Sequence, residues 1–280
     1  MVEIRKTPDG MEIPPPGPDD VLYEKADGYA RITINRPTIL NAMNKNVQRL
    51  LLAAFERAEG DDDVSAVILT GAGRAFSAGG DMYSHLYPDD DPAPSPMDVQ
   101  MKIWTLVKPV VAAVRGHAVG QGSELAGVCD ITLAAEDARF GEIQIRHGAA
   151  PPVLIAPFLL GLKKAKEVLL LGEQIDAQEA VRIGLANRVV PVERLQEEAE
   201  TVARKIASLP QGTVRLNKTL VNRAYELAGF REALAYRDDP VIEAMASGGA
   251  DDATQERMRL LREQGWGAFK ESRDAQYQGD

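Results

Sequence analysis

The stretch that best indicates the fold is Val110–Asp130, VVAAVRGHAVGQGSELAGVCD. It opens with an apolar, β-prone run, Val110–Val114, and continues through a turn with glycine at positions 116, 120 and 122. We expect a short helix to follow, from about Ser123 to Cys129. The first backbone N–H groups of such a helix have no intrahelical partners, so they can bind an oxyanion.

Glu124 falls in the first turn of this expected helix. Donors for a developing negative charge and a carboxylate that can move protons would then lie side by side, which is typical of an active site. A glutamate in a first helical turn also compensates the helix dipole. Glu124 by itself therefore does not decide between a catalytic and a purely structural role.

A second stretch repeats the pattern. Val64–Thr70, VSAVILT, is a candidate apolar strand, and Gly71–Asp81, GAGRAFSAGGD, follows it. Small residues at positions 77–80 lead to an expected helix start and let a ligand approach the backbone. Two such turns can each aim one N–H at the same carbonyl oxygen, although either turn alone is also compatible with an ordinary βα connection.

Taken together, these stretches resemble the enoyl-CoA hydratase/isomerase, or crotonase, superfamily. The resemblance covers roughly Val21–Tyr277 and keeps the family's order and spacing. The matching segments are ITINRPTILNAMN (Ile32–Asn44), AVILTGAGRAFSAGGD (Ala66–Asp81), PVVAAVRGHAVGQGSELAGVCD (Pro109–Asp130), ARFGEIQIRHGAAPP (Ala138–Pro152), DAQEAVRIGLANRVVP (Asp176–Pro191) and GWGAFKESRDAQY (Gly265–Tyr277).

The resemblance implies an α/β fold. It predicts a crotonase-type spiral of ββα units over residues 21–191 and a C-terminal α-helical trimerisation region over residues 192–280. Residues 1–20, which contain PPPGPDD and little apolar periodicity, are predicted to be a mobile N-terminal arm. In the core, the apolar patterns predict a hairpin of Val21–Ala26 with Tyr29–Asn35 and an amphipathic helix over Asn41–Glu59.

The sequence after Asp81 predicts one loop and several helices. Met82–Pro96 is a Pro/Asp-rich insertion, which in the family bounds the acyl pocket but is also compatible with a solvated loop. Pro151 and Pro152 are expected to begin a long apolar helical stretch that runs to Leu171. Asp176 is expected to cap the next helix. An apolar stripe after Pro191 predicts a further packed helix, and its members are Leu195, Ala199, Val202, Ala203 and Ile206.

Composition excludes several classes of protein. The 280 residues are 45% hydrophobic and 26% charged, which is ordinary for a globular protein and argues against disorder. The longest apolar run, around Val153–Leu162, is too short to span a bilayer, and no secretory signal opens the chain. Cys129 is the single cysteine, so we expect a buried structural thiol and a reducing compartment, the cytoplasm.

The net charge of −10 argues against a nucleic-acid partner, because nucleic-acid binding requires a basic field. The resemblance implies an acyl-CoA substrate, and coenzyme A is itself polyanionic. Local cations would then have to hold its phosphates, and the candidates are Arg36, Lys102, Lys270 and Arg273. Each of these is also compatible with an ordinary solvated charge.

The resemblance assigns roles to the two turns. In the family, two backbone N–H groups polarise the thioester carbonyl, and these map onto Gly80 and Gln121. Glu124 maps onto one of the two acids with which hydratases position and split water. Ala78 maps onto the position whose backbone carbonyl contacts adenine, with Asp81 and Met82 along the same substrate-binding wall.

Gln144 stands where hydrating relatives have their second acid, in the segment FGEIQI. A glutamine can hydrogen-bond a water molecule or a carbonyl, but it cannot act as a general acid or base near neutral pH. Glu142 lies two residues earlier, and on an extended segment it would share a face with Gln144. Gln144 therefore leaves open whether the reaction is hydration, isomerisation, or a one-acid hydrolysis, decarboxylation or lyase reaction.

Other classes fit the sequence less well. Gly71 and Gly73 follow a strand, but Phe76 occupies the third glycine of the dinucleotide-binding pattern. Neither Ser77 nor Ser123 stands in the GxSxG pattern of α/β-hydrolases. A non-catalytic acyl-CoA-binding protein with the same fold remains an alternative, favoured by Gln144 and opposed by Glu124.

The expected partners are accordingly few. His85 and His147 show no metal-ligand spacing with Asp or Glu, and His117 is expected to be structural, so we predict no metal. No cofactor is expected apart from the coenzyme A of the substrate. The resemblance implies a role in fatty-acid metabolism, no membrane partner, and a homotrimer or a dimer of trimers.

Overall fold

Two apolar strands, Ala66–Gly71 and Val110–Val114, lie at the centre of a six-stranded sheet in the computed structural model, which describes residues 4–151, 153–235 and 252–277. The described strands are β1 (Arg5–Lys6), β2 (Glu12–Ile13), β3 (Val21–Ala26), β4 (Tyr29–Ile34), β5 (Ala66–Gly71), β6 (Val110–Val114), β7 (His117–Val119), β8 (Ile131–Ala135), β9 (Arg139–Gly141), β10 (Ile175–Asp176) and β11 (Arg188–Val190).

The large sheet has the strand order β11-β8-β6-β5-β4-β3. The β3–β4 hairpin is antiparallel, and every other neighbouring pair in this sheet is parallel. A smaller sheet, β10-β9-β7, lies beside it and pairs β7 with β9 in parallel. Parallel strands require crossover connections, so the carboxyl ends of β5 and β6 lead into turns at one edge of the large sheet.

The helices cover both faces of the large sheet. The described helices are α1 (Lys45–Gly60), α2 (Pro96–Thr105), α3 (Gln121–Val128), α4 (Ala156–Leu159), α5 (Leu162–Leu171), α6 (Ala177–Arg182), α7 (Leu195–Ala207), α8 (Gln211–Leu227), α9 (Phe230–Ala235), α10 (Asp252–Gln264) and α11 (Trp266–Asp274).

Alternation along β5 divides the core between the two faces. Val67 and Leu69 join the cluster packed under α1 to α6, whereas Ala66 and Ile68 join the cluster packed under α7. Successive side chains of a strand point to opposite faces, so one buried strand supplies both cores. Four members of the predicted α7 stripe are buried in the second cluster and Val202 packs against it, which confirms that stripe.

Several predicted boundaries are wrong for local reasons. Helix α1 begins at Lys45 rather than Asn41, because Leu40 and Asn41 adopt left-handed backbone angles (φ 52° and 58°) after a 3₁₀ turn. Asn44 then caps the helix by accepting a hydrogen bond from the N–H of Val47.

The predicted long helix up to Leu171 is also wrong. Helix α4 ends at Leu159, Leu160 is extended, and α5 starts at Leu162 after Gly161. Pro152, one of the two prolines expected to begin the long helix, lies outside the described residues. The cap expected at Asp176 is confirmed, since its carboxylate accepts the N–H of Glu179 at 2.8 Å.

Residues 4–20 make defined contacts, which do not support a mobile arm over that range. Ile13 is buried in a small cluster with Tyr83, Leu261 of α10 and Phe269 of α11. The Asp9 carboxylate accepts the N–H of Gly267 at 3.0 Å. This amino-terminal hairpin therefore packs together with the segment after Asp81 and the last two helices. No helix in the described part of the chain is long and apolar enough to cross a membrane.

Candidate active site

Helix α3 begins at Gln121, two residues before the predicted start. Gly120 precedes it with φ 53° and ψ −127°, a conformation that strongly favours glycine. The N–H of Gly120 donates to the carbonyl of Gly141 at 2.7 Å, which ties the turn to β9. The N–H of Gln121 has no backbone or side-chain acceptor among the described residues, so it is available to a ligand.

The segment at positions 77–81 is not a helix start, contrary to the prediction. It runs between two neighbouring segments and forms parallel bridges, Ser77 with Ala118 and Gly80 with Met43. In the second bridge the N–H of Met43 donates to Gly79 at 2.8 Å, and the N–H of Asp81 donates to Met43 at 3.0 Å. The N–H of Gly80 itself therefore points away from Met43, and Gly80 is exposed.

Gly79 brings this segment against the start of α3. Its φ is 89°, and a Cβ atom added there would lie 2.7 Å from the Val119 carbonyl oxygen and 3.4 Å from the Gln121 nitrogen. A Cβ atom on Gly80 would lie 4.0 Å from the Gln121 side-chain oxygen. The structure thus brings together Gly80 and Gln121, which lie forty-one positions apart in the sequence.

Glu124 is buried one turn into α3, with 1% of its surface exposed. Its Oε1 accepts the backbone N–H of Val153 at 3.2 Å, and its Oε2 accepts from Nε2 of Gln100 at 3.3 Å. Gln100 was not among the predicted site residues, although a glutamine beside Val99 and Ile103 on the apolar face of a helix is an unusual pattern. That pattern was the available signal.

Gln144 and Glu142 lie next to the same turn. Gln144 belongs to a 3₁₀ turn, Ile143–His147, so it does not share an extended segment with Glu142. The two side chains are nevertheless in contact, because Nε2 of Gln144 donates to Oε2 of Glu142 at 2.8 Å. The Oε1 atom of Gln144 is buried, has no hydrogen-bond partner among the described residues, and would lie 3.3 Å from a Cβ atom on Gly120.

Burial raises the pKa of Glu142 from 4.5 to about 7, and hydrogen bonds from Gln144 and Ser123 oppose that rise. Glu142 is 5% exposed, so its carboxylate is removed from water. Ser123 precedes Glu124 on α3, and Glu142 therefore connects the 3₁₀ turn to the first turn of that helix. A carboxyl group with a pKa near 7 is able to exchange protons at neutral pH.

The structure does not leave Arg36 available for a coenzyme A phosphate. Its guanidinium is buried, and it donates to the Asp81 carboxylate and to the Ala42 carbonyl, both at 2.8 Å. It also lies 3.6 Å from Asp20 and donates to the carbonyl of Pro14 at 3.3 Å. Both terminal nitrogens of the guanidinium therefore donate inside the protein, and its Nε is buried next to Asp20.

Asp81 is likewise held within the fold. One of its oxygens accepts from Arg36 and the other accepts the N–H of Tyr83 at 2.9 Å. Ala78 is partly exposed, and its N–H donates to the Leu40 carbonyl at 2.8 Å. Met82 packs beside the small cluster around Tyr83. Ala78 and Met82 thus flank Gly80 along the chain, whereas the Asp81 side chain is bound to Arg36 and Tyr83.

The remaining cationic candidates are scattered. Arg273 is buried, pairs with Asp274 at 2.7 Å and lies over the ring of Trp266. Lys102 pairs with Glu59, and Lys270 is exposed. Of these three cations, Lys270 has no ion-pair partner among the described residues.

The single thiol is hydrogen-bonded within its own segment. Cys129 donates to the Leu125 carbonyl at 3.3 Å, and burial raises the pKa of its thiol. His117 lies exposed on β7, a strand that the sequence analysis did not predict. Within the described ranges, no three His, Cys, Asp or Glu side chains cluster closely enough to hold a metal ion.

Comparison with known proteins adds the decisive observation. A sequence model of the family described as enoyl-CoA hydratase/isomerase matches residues 24–280. The chain belongs to this family. A probable enoyl-CoA hydratase of Mycobacterium tuberculosis is 36% identical over 223 residues, which cover 78% of this chain and 86% of the relative.

Solved structures of the family share the fold. An enoyl-CoA hydratase/isomerase from Xanthobacter autotrophicus Py2 has a TM-score of 0.82 at 37% identity, with 92% of this chain and 98% of that chain covered. A monofunctional enoyl-CoA isomerase from M. smegmatis has a TM-score of 0.63 at 32% identity, with 74% and 93% covered. The α/β crotonase fold predicted for this chain is therefore confirmed, and the family is one of acyl-CoA enzymes.

Proposed function

We propose that this protein processes an acyl-CoA by moving a proton beside a thioester carbonyl. The carbonyl oxygen would bind the N–H groups of Gly80 and Gln121, and Glu124 would act as the acid/base. The observation that carries the proposal is that two N–H groups without acceptors among the described residues, that of Gln121 at the start of α3 and that of Gly80 beside it, accompany a buried carboxylate in the first turn of α3.

The proposed chemistry follows from that arrangement. Glu124 takes a proton from the α-carbon, and the electron pair of the broken C–H bond passes to the thioester oxygen. The two N–H groups and the positive end of α3 stabilise the oxygen. Removing one such donor typically costs 10²–10³ in rate, roughly 3–4 kcal/mol. Returning the proton to the γ-carbon of a 3-enoyl thioester would complete an isomerisation.

Gln144 favours this one-acid reaction over hydration. Its Nε2 is bound to Glu142, so the side chain offers only an amide oxygen beside Gly120. An amide oxygen can accept a hydrogen bond from water or from a substrate, but it supplies no proton. The isomerase of M. smegmatis among the related structures is consistent with such a reaction.

Hydration of a 2-enoyl-CoA is the second candidate, and the pKa of Glu142 favours it. Burial brings that pKa to about 7, where a carboxyl group can both give and take a proton. Glu142 would then have to act as the second acid from behind Gln144, either directly or through a water molecule. Hydrolysis, decarboxylation and non-catalytic acyl-CoA binding remain further alternatives.

A substrate screen in D₂O tests the proposal. Saturated, 2-enoyl, 3-enoyl and β-keto acyl-CoAs are incubated with the protein and with Glu124→Gln, and products and deuterium content are read by mass spectrometry. We expect deuterium at the α-carbon and conversion of 3-enoyl to 2-enoyl thioesters by the wild type alone. Tight binding without exchange or conversion would establish a non-catalytic acyl-CoA-binding protein instead.

We also propose that the chain assembles as a homotrimer or a dimer of trimers and acts in fatty-acid metabolism in the cytoplasm. Family membership supports the assembly, as do exposed leucines on α8. The single cysteine is compatible with a reducing compartment. Coenzyme A enters as part of the substrate, and the proposed reaction needs no further cofactor.

A further inference from the structure

Helix α2 buries a glutamine among its apolar residues. Its inward face carries Val99, Gln100 and Ile103, and Gln100 is 1% exposed. Helix α2 packs against α3, the helix that carries Glu124. Burying an uncharged polar side chain in such a face is unfavourable unless hydrogen bonds compensate for the lost water.

The Gln100 carboxamide reaches the proposed acid/base. Its Nε2 donates to Oε2 of Glu124 at 3.3 Å, while the N–H of Val153 donates to Oε1 at 3.2 Å. These two donors come from different parts of the chain, helix α2 and the segment before α4, and each of them binds one oxygen of the carboxylate. The Oε1 atom of Gln100 is buried and has no partner among the residues that the structure describes.

We propose that Gln100 is the positioning residue of Glu124 and partners it both as a carboxylate and as a carboxylic acid. The inference rests on the proposed function. Gln100 takes no proton: the proton passes from the substrate α-carbon to Glu124 and then to the product. The carboxamide donates through Nε2 to the carboxylate, and its oxygen is the acceptor for a protonated Glu124 after the amide turns.

The chemistry of the amide explains why a glutamine suits this place. A carboxamide carries a donor and an acceptor on one terminal group, whereas methionine of similar length carries neither of comparable strength. An acid/base that alternates between two protonation states needs a neighbour that can hydrogen-bond in both. A displacement of about 1 Å at a reacting group can cost about 10²-fold in rate.

Gln48 provides a matched control within the same chain. It lies on α1, is 5% exposed, and also has a buried Oε1 without a partner in the described part of the chain. Gln48 has no contact with Glu124 among the hydrogen bonds of the site. Gln48→Met thus reproduces the loss of a buried carboxamide without touching the proposed acid/base.

The experiment compares Gln100→Met with Gln48→Met. The rate of α-proton exchange of a saturated acyl-CoA is measured in D₂O at saturating substrate, together with the acyl-CoA Kd and the melting temperature. We expect Gln100→Met to lower the exchange rate by about 10²-fold with an unchanged Kd, and Gln48→Met to keep both. A structural role alone would leave the exchange rate of both variants at the wild-type value, whatever their melting temperatures.

Gln100→Glu keeps the length of the side chain and covers the case in which Gln100→Met does not fold. Two carboxyl groups at this separation share one proton, and the hydrogen bond that holds this proton makes the remaining carboxylate a weaker base. We expect loss of exchange with retained acyl-CoA binding. Exchange at the wild-type rate in Gln100→Glu would overturn the inference, since shape alone would then suffice.

The outcomes separate this inference from the proposed function. If the wild type exchanges, Glu124→Gln does not, and Gln100→Met matches Gln48→Met, Gln100 has no positioning role and the proposed function stands. If the wild type neither exchanges nor converts any thioester of the screen, the proposed function is wrong, and the role of Gln100 fails with it.

Discussion

At the scale of single residues, the proposed acid/base Glu124 accepts hydrogen bonds from Gln100 and Val153. Replacing it with glutamine keeps its shape and part of its hydrogen bonding but removes proton transfer. We expect Glu124→Gln to lower turnover by about 10² or more while acyl-CoA binding persists. Steady-state rates and calorimetric titration with the same acyl-CoA check this, and wild-type turnover by the variant would remove Glu124 from the mechanism.

Glu142 and Gln144 allow a sharper test of hydration, because their side chains are hydrogen-bonded at 2.8 Å. We expect the wild type to hydrate 2-enoyl-CoA slowly. Gln144→Glu alone would place two carboxyl groups together, so one of them stays protonated. Exchanging the two residues, Glu142→Gln with Gln144→Glu, keeps one acid and one amide and should raise the hydration rate further than Gln144→Glu does.

The contrary result for this pair is equally specific. Brisk hydration by the wild type that Glu142→Gln abolishes would make Glu142 the second acid. The rate is followed by the loss of absorbance of the enoyl thioester. Melting temperatures of all three variants show whether a lost rate reflects a lost fold.

The buried Glu142 should also make stability depend on pH. Its pKa is raised to about 7 in the folded protein from an ordinary 4.5. The folded state therefore keeps this proton to higher pH than the unfolded chain, and the free energy of unfolding falls as the pH rises from about 4.5 to about 7. The slope from one such group is at most about 1.4 kcal/mol per pH unit.

Denaturant unfolding at several pH values checks this dependence. Glu142→Gln removes the titrating group, so the difference in stability between wild type and variant should change across that window and level off above pH 7. A difference that is constant from acid to neutral pH would show that Glu142 titrates normally in the fold.

At the scale of elements, Arg36 holds the Gly80 segment in place. Its guanidinium joins the amino-terminal segment, through Pro14 and Asp20, to Asp81, directly after Gly80. Removing one partner of a buried ion pair typically costs about 3–5 kcal/mol, because the other charge is left unpaired. We expect such a loss of stability for Arg36→Met, with a further loss of turnover as the N–H of Gly80 shifts.

Denaturant unfolding measures this loss of stability. A second variant tests whether the loss arises from the unpaired charge of Asp81. Arg36→Met combined with Asp81→Asn removes both charges of the pair and should be more stable than Arg36→Met alone. If Arg36→Met is as stable as the wild type, the pair does not anchor this segment. The same result would reopen Arg36 as a candidate for phosphate binding.

At the scale of the whole molecule, helix α8 exposes a row of leucine side chains. Leu216, Leu220 and Leu227 fall on one stripe of this helix and are 54%, 58% and 74% exposed. Single exposed leucines are common, but an aligned set on one helix marks an interaction surface. We infer that this stripe contributes to the trimer proposed above.

Light scattering tests the assembly. We expect a trimer or hexamer for the wild type at micromolar concentration and smaller species for Leu216→Glu with Leu220→Glu. Circular dichroism of the double variant shows whether the protomer remains folded. A wild-type protein that is a stable monomer would contradict the proposed assembly, and an unchanged trimer in the double variant would place the interface elsewhere.

The sequence by itself determined the family, the α/β class and the main elements near the site. Strands β5 and β6, the β3–β4 hairpin and α7 follow from periodicity and turn residues, which act between neighbours along the chain. The order of the six matching segments then identified the fold. The turns that carry Gly80, Gln121 and Glu124 have local signatures, and the resemblance to the family then assigned roles to these three residues.

Only the tertiary structure decided which groups meet. Gln100 reaches Glu124 because α2 packs on α3, and Arg36 is buried because three segments converge on its guanidinium. Glu142 and Gln144 are hydrogen-bonded at the start of a 3₁₀ turn that the hydrophobic pattern of the sequence did not predict. Contacts of this kind depend on packing between elements that are distant in sequence. The function of a buried polar group depends on its hydrogen-bond partner, and packing determines which partner that is.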